Sequence, residues 1–178
     1  MIGVRVRSGG DGNRVADAAS AAGASVDVER LRARGLLLPL PGLDARQLRD
    51  TFADARARGA HEAIDILAPR GTRVLAVEDG AVAKLFTSAG GGLTVYQFDP
   101  TSTYCYYYAH LDGYAPGLRE GALLRRGDPV GFVGTTGNAP PGVPHLHFAI
   151  FRLGSPPRWW EGTPVNPYPI WVPGAATR

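Results

Sequence analysis

The chain has 178 residues, 44 % hydrophobic and 20 % charged, a balance that builds one globular core and excludes a disordered chain. The net charge of +3 is carried by scattered arginines, with no dense basic block and no basic–aromatic interleaving, which excludes a nucleic-acid surface. A single cysteine, Cys105, excludes an intrachain disulfide and a thiolate zinc cluster, and no apolar run is long enough to span a bilayer.

Abundant glycine (24) and proline (15) between β-branched and aromatic runs predict a turn-rich, mostly β protein. Residues 1–40 carry the weakest signals. Residues 2–7 alternate as an edge strand, 8–13 read as a loop, and 14–24 form an alanine-rich helix whose apolar face buries little. This stretch is expected to be a loose N-terminal arm or linker, ahead of a domain over residues 41–172 and a tail over 173–178. Residues 1–12 have no continuous apolar stretch of the signal-peptide kind.

Residues 36–42 read as a strand ending in a turn. Next, Asp44 caps a predicted helix, with Gln47 completing a capping box and Leu43 placed as a staple. Leu48, Phe52 and Ala55 make its apolar stripe and Gly59 its stop, so one short covering helix is expected.

From Ala60 onward short strands follow at turn spacing: 61–67, 72–77, 81–87, 93–98, 104–111, 129–133 and the stretch around His145. The glycine-rich residues 88–92 read as a hairpin loop, and the long loop 134–143 delivers the chain to His145. Such a series predicts a mainly β fold, an antiparallel sheet closed as a sandwich-like barrel. Beyond Arg152 the chain reads as an extended strap, with Trp159, Trp160 and Trp171 packing outside the barrel. Carbohydrate stacking is the alternative for Trp159 and Trp160. Cys105, inside a run of tyrosines, reads as a small buried strand residue rather than a nucleophile.

The chemistry lies in four histidines. In Pro144-His145-Leu146-His147-Phe148, strand alternation points both imidazoles one way and Leu146 and Phe148 the other. In His61-Glu62-Ala63-Ile64-Asp65, read as a strand, residues 61, 63 and 65 share a face while Ile64 and Ile66 enter the core. Two histidines and a carboxylate hold a catalytic zinc with one position left open. His61, Asp65 and one of His145 and His147 supply that set, and spacing alone does not say which. The remaining imidazole and His110 are then free for proton transfer and oxyanion stabilisation.

These residues, in this order, resemble the lysostaphin-like (LytM-type) zinc metallopeptidases, peptidoglycan endopeptidases with a duplicated-hybrid-motif β fold. The carrying motifs are His61-Glu62-Ala63-Ile64-Asp65, Tyr108-Ala109-His110-Leu111, and Gly134-Thr135-Thr136-Gly137 ahead of His145-Leu146-His147-Phe148. Pro164-Val165-Asn166-Pro167 resembles the family's closing segment. The resemblance implies a Zn2+ ion held by His61, Asp65 and His147, with His110 and His145 as catalytic residues. It implies hydrolysis of peptidoglycan peptide cross-links, with a D,D bond as expected target, by attack of zinc-bound water. Two positions depart from the pattern: the motif glycine is Ala63, and the glutamate commonly following His-Leu-His-Phe is Ala149.

The competing reading is a catalytically silent relative of the same fold that binds the wall or activates a hydrolase; it is disfavoured because all five site residues are present. A biotinyl- or lipoyl-like carrier is excluded by Lys84, the only lysine, which falls inside a strand rather than at a hairpin tip. A substrate of peptidoglycan peptide stems places the chain in the cell envelope, periplasmic or extracellular, with a membrane anchor upstream as one means of export. It is expected to act as a monomer and to bind no nucleic acid.

Overall fold

The computed structural model describes residues 10–56 and 59–174, with residues 10–21 described by backbone alone. Strands β1 (Ala55–Arg56) and β2 (Gly59–Ala60) form a small separate ladder. The main sheet comprises β3 (Ile64–Leu67), β4 (Arg73–Leu75), β5 (Gly80–Ser88), β6 (Gly92–Phe98), β7 (Tyr104–Tyr114), β8 (Leu123–Leu124), β9 (Pro129–Val133), β10 (His145–Arg152) and β11 (Thr163–Val165). Its order is β11-β10-β7-β6-β5-β8, with β3 also on β10, β9 on β7, and β4 on β9; every pairing is antiparallel. The expected mainly β, antiparallel architecture is what forms.

Strand β7 organises the core. Its residues 104–109 pair with β10 and β6, and from Leu111 onward it turns to pair with β9. Tyr104, Tyr106 and Tyr108 are fully buried, so each phenol needs a partner inside the protein. Tyr104 donates to Asp27 at 2.8 Å, Tyr106 to Glu78 at 2.5 Å, and Tyr108 to Gln97 at 2.8 Å while accepting from the Val77 amide. Cys105 is buried with them, and burial pushes its thiol well above the ordinary range, which fits a packing residue.

Two expectations need correction. The edge strand over residues 2–7 lies outside the described residues, but residues 27–40 are no loose arm. Helix α1 (Gly10–Ala33) buries Asp27, Val28 and Leu31 in its last turns, and Leu36 and Leu40 join the same core. Residues 36–40 run extended, with the Leu37 amide donating to Val77 O and Pro39 O accepting from Leu75, both at 2.8 Å. A boundary at residue 40 would therefore cut a continuous core. The alanine-rich composition hides this, because Tyr104 and Arg152 reach Asp27 from distant strands.

The second correction concerns the covering helix expected from Asp44. The capping box forms, but the helical geometry lasts one 3-10 turn, Ala45–Gln47, and Leu48 is already extended at ψ 150°. Local side chains take over the backbone: Asp50 accepts from the Phe52 amide and from Asn166, which ties the segment to the chain's end. Beyond Arg152, where an extended strap was expected, the chain adds β11 to the main sheet and ends in the short helix α2 (Tyr168–Trp171), with Trp171 tilted against Phe148 and donating to Leu36 O at 2.9 Å.

Asp99 holds the β6–β7 turn. Its side chain is fully buried and accepts from Thr101, from the Thr103 and Tyr104 amides, and from Arg34 at 2.9 Å. Burial works to raise its pKa, but these donors outweigh burial and hold the carboxyl below the usual range. A depressed carboxyl stabilises the fold above its unfolded pKa, roughly 4, and that stability is lost as pH falls through the folded value. Asp99→Asn should cost about 2 kcal/mol at pH 7 in denaturant titrations. The difference from the parent should shrink below about pH 4.

Candidate active site

Strand register sets the first two candidate ligands. β10 lies between β3 and β7, with His147 directly opposite Asp65 on one side and Ala109 on the other. Alternation sends Leu146 and Phe148 into the core, fully buried, as do Ile64 and Ile66 on β3. His145, His147 and Asp65 therefore emerge on one face.

His61 reaches that face by a different route from the expected strand. β3 begins only at Ile64, Glu62 adopts a left-handed φ of 57°, and Ala63 is fully buried instead of facing the site. The turn is held by its neighbours: the His61 amide donates to Asp54 O and the Glu62 amide to Phe52 O. Thr51 does the rest. Its carbonyl accepts from His61 Nδ1 at 3.0 Å, and its hydroxyl accepts from the Asp65 amide and donates to Ala63 O. Sequence reasoning had placed Thr51 on a helix, and no spacing signal marks it as the support of two site residues.

Three electron-pair donors converge. His61 Nε2 is 3.0 Å from His147 Nδ1, and each is 3.1 Å from Asp65 Oδ1. The Thr51 carbonyl keeps the His61 proton on Nδ1, so Nε2 is an acceptor; the carboxylate is another. A cation at the centre of the triangle satisfies all three at once. A tetrahedral zinc with bonds of about 2.0–2.1 Å spaces its ligands by about 3.3 Å, which this triangle approaches to within a few tenths. Among the described residues, His61, Asp65 and His147 are the set able to hold a metal ion.

Around them the charges are arranged to match. The carboxylate is pushed up by burial, but the neighbouring imidazoles of His147 and His61 outweigh it and hold Asp65 well below the usual carboxylate range. Burial lowers His147, and lowers His110 to about 4, so both are neutral at pH 7. Arg56 donates to Asp65 Oδ2 at 2.9 Å, which leaves Oδ1 alone to face the histidines. Arg56 is a second residue that sequence reasoning passed over.

His110 lies across the site from these ligands, its ring centroid 5.5 Å from that of His147 and 4.8 Å from that of His145. Regular alternation after buried Tyr108 would return residue 110 to the core. Instead His110 has a left-handed φ of 60°, and the β6–β7 register slips between Val95↔Tyr108 and Leu93↔Leu111. This bulge re-aims the imidazole onto the site face. His110 Nδ1 then donates to Thr136 O at 2.8 Å, and His145 Nδ1 to Val143 O at 2.9 Å. These bonds hold a proton on each Nδ1 and aim each Nε2 into the site. His145 Nε2 stands 3.8 Å from Asp65 Oδ1.

The Gly134–Gly137 motif explains itself here. Thr136 donates through its hydroxyl to Leu111 O and accepts from the Leu93 amide, locking the loop onto both strands beside His110. A Cβ on Gly92 would lie 2.1 Å from Thr136 Oγ1, and one on Gly137 2.3 Å from Gly90 O, so the hairpin 88–92 and this loop interlock through bare backbone. The five site residues open into a groove of about 760 Å³, with Leu67, Ala139, Pro140 and Val143 along an apolar wall.

His61→Ala should abolish stoichiometric zinc binding, measured by competition against a chromophoric chelator. In the same titration Arg56→Ala should weaken zinc by about tenfold, because it frees Asp65 Oδ2 without removing a ligand.

The model of Peptidase family M23 matches residues 59–167, a span that includes all five residues of the site. The L-Ala–D-Glu endopeptidase of Bacillus subtilis is 34 % identical over 139 residues, 74 % of this chain and 41 % of that protein. The peptidoglycan DD-endopeptidase ShyC of Vibrio cholerae is 31 % identical over 118 residues, 63 % of this chain and 26 % of that protein. The chain thus spans less than half the length of these relatives. Among solved structures, Helicobacter pylori Csd3 superposes with a TM-score of 0.58 at 26 % identity, covering 80 % of this chain and 34 % of that one. The lysostaphin catalytic domain of Staphylococcus simulans shares the fold, with a TM-score of 0.57 at 21 % identity over 82 % of this chain and 97 % of that one. With a family model spanning the groove, its ligand triangle and both flanking histidines, the chain belongs to peptidase family M23.

Proposed function

We propose that this chain is a zinc endopeptidase that hydrolyses the peptide part of peptidoglycan in the cell envelope. The observation that carries the reading is the juxtaposition of a converging ligand set of two imidazoles and a carboxylate with two further imidazoles whose Nε2 atoms face it. His61 Nε2, Asp65 Oδ1 and His147 Nδ1 would hold the ion. When bound, zinc supplies Lewis acidity, polarising a carbonyl and acidifying water.

The chain's own groups do the rest. His110 is neutral at pH 7 because burial depresses its basicity, and its Nε2 is free, so it accepts the proton of the attacking water. The imidazolium then formed is a donor and returns that proton to the leaving amine. His145 Nε2 faces the Asp65 carboxylate, a placement suited to a hydrogen-bond donor for the oxyanion. The apolar wall of Leu67, Pro140 and Val143 lies along the groove where small side chains of a stem peptide would run.

A D,D cross-link is the target expected from the sequence resemblance. A cut between L-Ala and D-Glu is the second reading, favoured by the 34 % identity to the enzyme named for that bond. Mass spectrometry of muropeptides released by the zinc-loaded protein separates the two. His110→Ala should lower kcat by roughly 10²–10⁴-fold with zinc content unchanged. Cleavage that survives chelation would overturn the proposal, and sacculi that are bound but left uncut would establish the silent alternative.

A further inference from the structure

The site face of the sheet does not end at the metal ligands. Tyr107 on β7 pairs with Ala149 on β10 and with Tyr96 on β6, so these positions extend the face that carries His147 across the strands. The rings form a continuous run. His147 meets the ring of Tyr107 at 5.9 Å, Tyr107 meets Tyr96 at 4.7 Å, Tyr96 meets Trp159 at 4.9 Å, and Trp159 meets Trp160 at 5.4 Å. Phe86 on β5 completes the far end, 5.2 Å from Trp159.

That far end is open. Trp160 is 62 % exposed and Phe86 40 %, a large aromatic area to leave in water. The contrast with the third tryptophan is informative. Trp171 packs on Phe148 and donates its indole N–H to Leu36 O, whereas Trp159 and Trp160 donate to no partner among the described residues. Polar groups flank the exposed rings. Arg158 lies over Trp160 at 5.9 Å and pairs with Glu161 at 3.3 Å across the Arg158–Glu161 bridge.

We propose that the Trp159–Trp160 shelf is a saccharide subsite, taking a pyranose ring of the glycan strand to which the stem peptide is attached. The inference rests on the peptidoglycan reading above. A sugar ring has an apolar C–H face that stacks on an aromatic plane and a rim of hydroxyl and acetamido groups. The free indole N–H, Arg158 and Glu161 provide donors and an acceptor for that rim. Continuity decides the occupant: the aromatic run joins the shelf to His147, so one substrate can lie in both places when its sugar and peptide are covalently linked.

The test separates this subsite from the hydrolytic reading. A soluble β-1,4-linked N-acetylglucosamine tetramer, titrated into the full chain, should change tryptophan fluorescence saturably. Trp160→Ala should weaken that binding about tenfold and Trp160→Phe should largely restore it. In cleavage assays, the preference for glycan-linked stem peptide over the same peptide free in solution should fall by a similar factor in Trp160→Ala. Saccharide binding without hydrolysis would overturn the enzymatic reading and leave the subsite standing. An absent fluorescence response in the parent chain, or an unaltered substrate preference in Trp160→Ala, would overturn the subsite.

Discussion

Two ring nitrogens and a carboxylate oxygen must be brought to one point from three separate segments, and the rest of this structure depends on their being held there. His61 Nε2, Asp65 Oδ1 and His147 Nδ1 approach one another within 3.0–3.1 Å. The fold imposes this with supports that carry no metal themselves. Thr51 grips His61 and the Asp65 backbone, Arg56 occupies the second carboxylate oxygen, and the β3–β10 register fixes His147 opposite Asp65. A pre-formed triangle spares an incoming cation the cost of gathering its ligands.

The same economy appears in the backbone. Of the three non-glycine residues with left-handed φ among the described residues, two border the site: Glu62 ahead of the candidate ligands and His110 at the bulge. Both conformations are locally unfavourable; the one at His110 re-aims an imidazole that regular alternation would have sent to the core, and the one at Glu62 bends the chain while keeping His61 on the site face.

The degree to which the sequence exposes this arrangement follows from the range of each interaction. His145 and His147 are legible because strand alternation is a two-residue rule and their flanking apolar residues declare the buried face. Asp65 follows by the same rule. His61 is found for an incorrect reason, since the turn at Glu62 does what a continuous strand was expected to do. The capping box at Asp44 is real, yet the helix it announces fails because Asp50 and Thr51 are recruited by Asn166 and by the site. Asp27 illustrates the opposite error: in an alanine-rich stretch it looks like a solvated charge, but it is buried beneath Tyr104 and Arg152, residues more than seventy positions away. Local patterns show through, and partners distant in sequence do not.

The interlock between the hairpin 88–92 and the Gly134–Gly137 loop couples groove shape to chemistry. Gly92 and Gly137 meet the opposing backbone with no room for a side chain, and Thr136 in the same contact accepts the His110 proton donor. Lengthening or decorating that hairpin would therefore move the carbonyl that sets the His110 tautomer. The facing wall, formed by Leu67 and residues 139–143, carries no comparable tie to His110, though Val143 O does anchor His145. Diversification of substrate range in this architecture is thus channelled to one side of the cleft: Leu67 and Pro140 can change freely, while the opposite rim is constrained to keep its form.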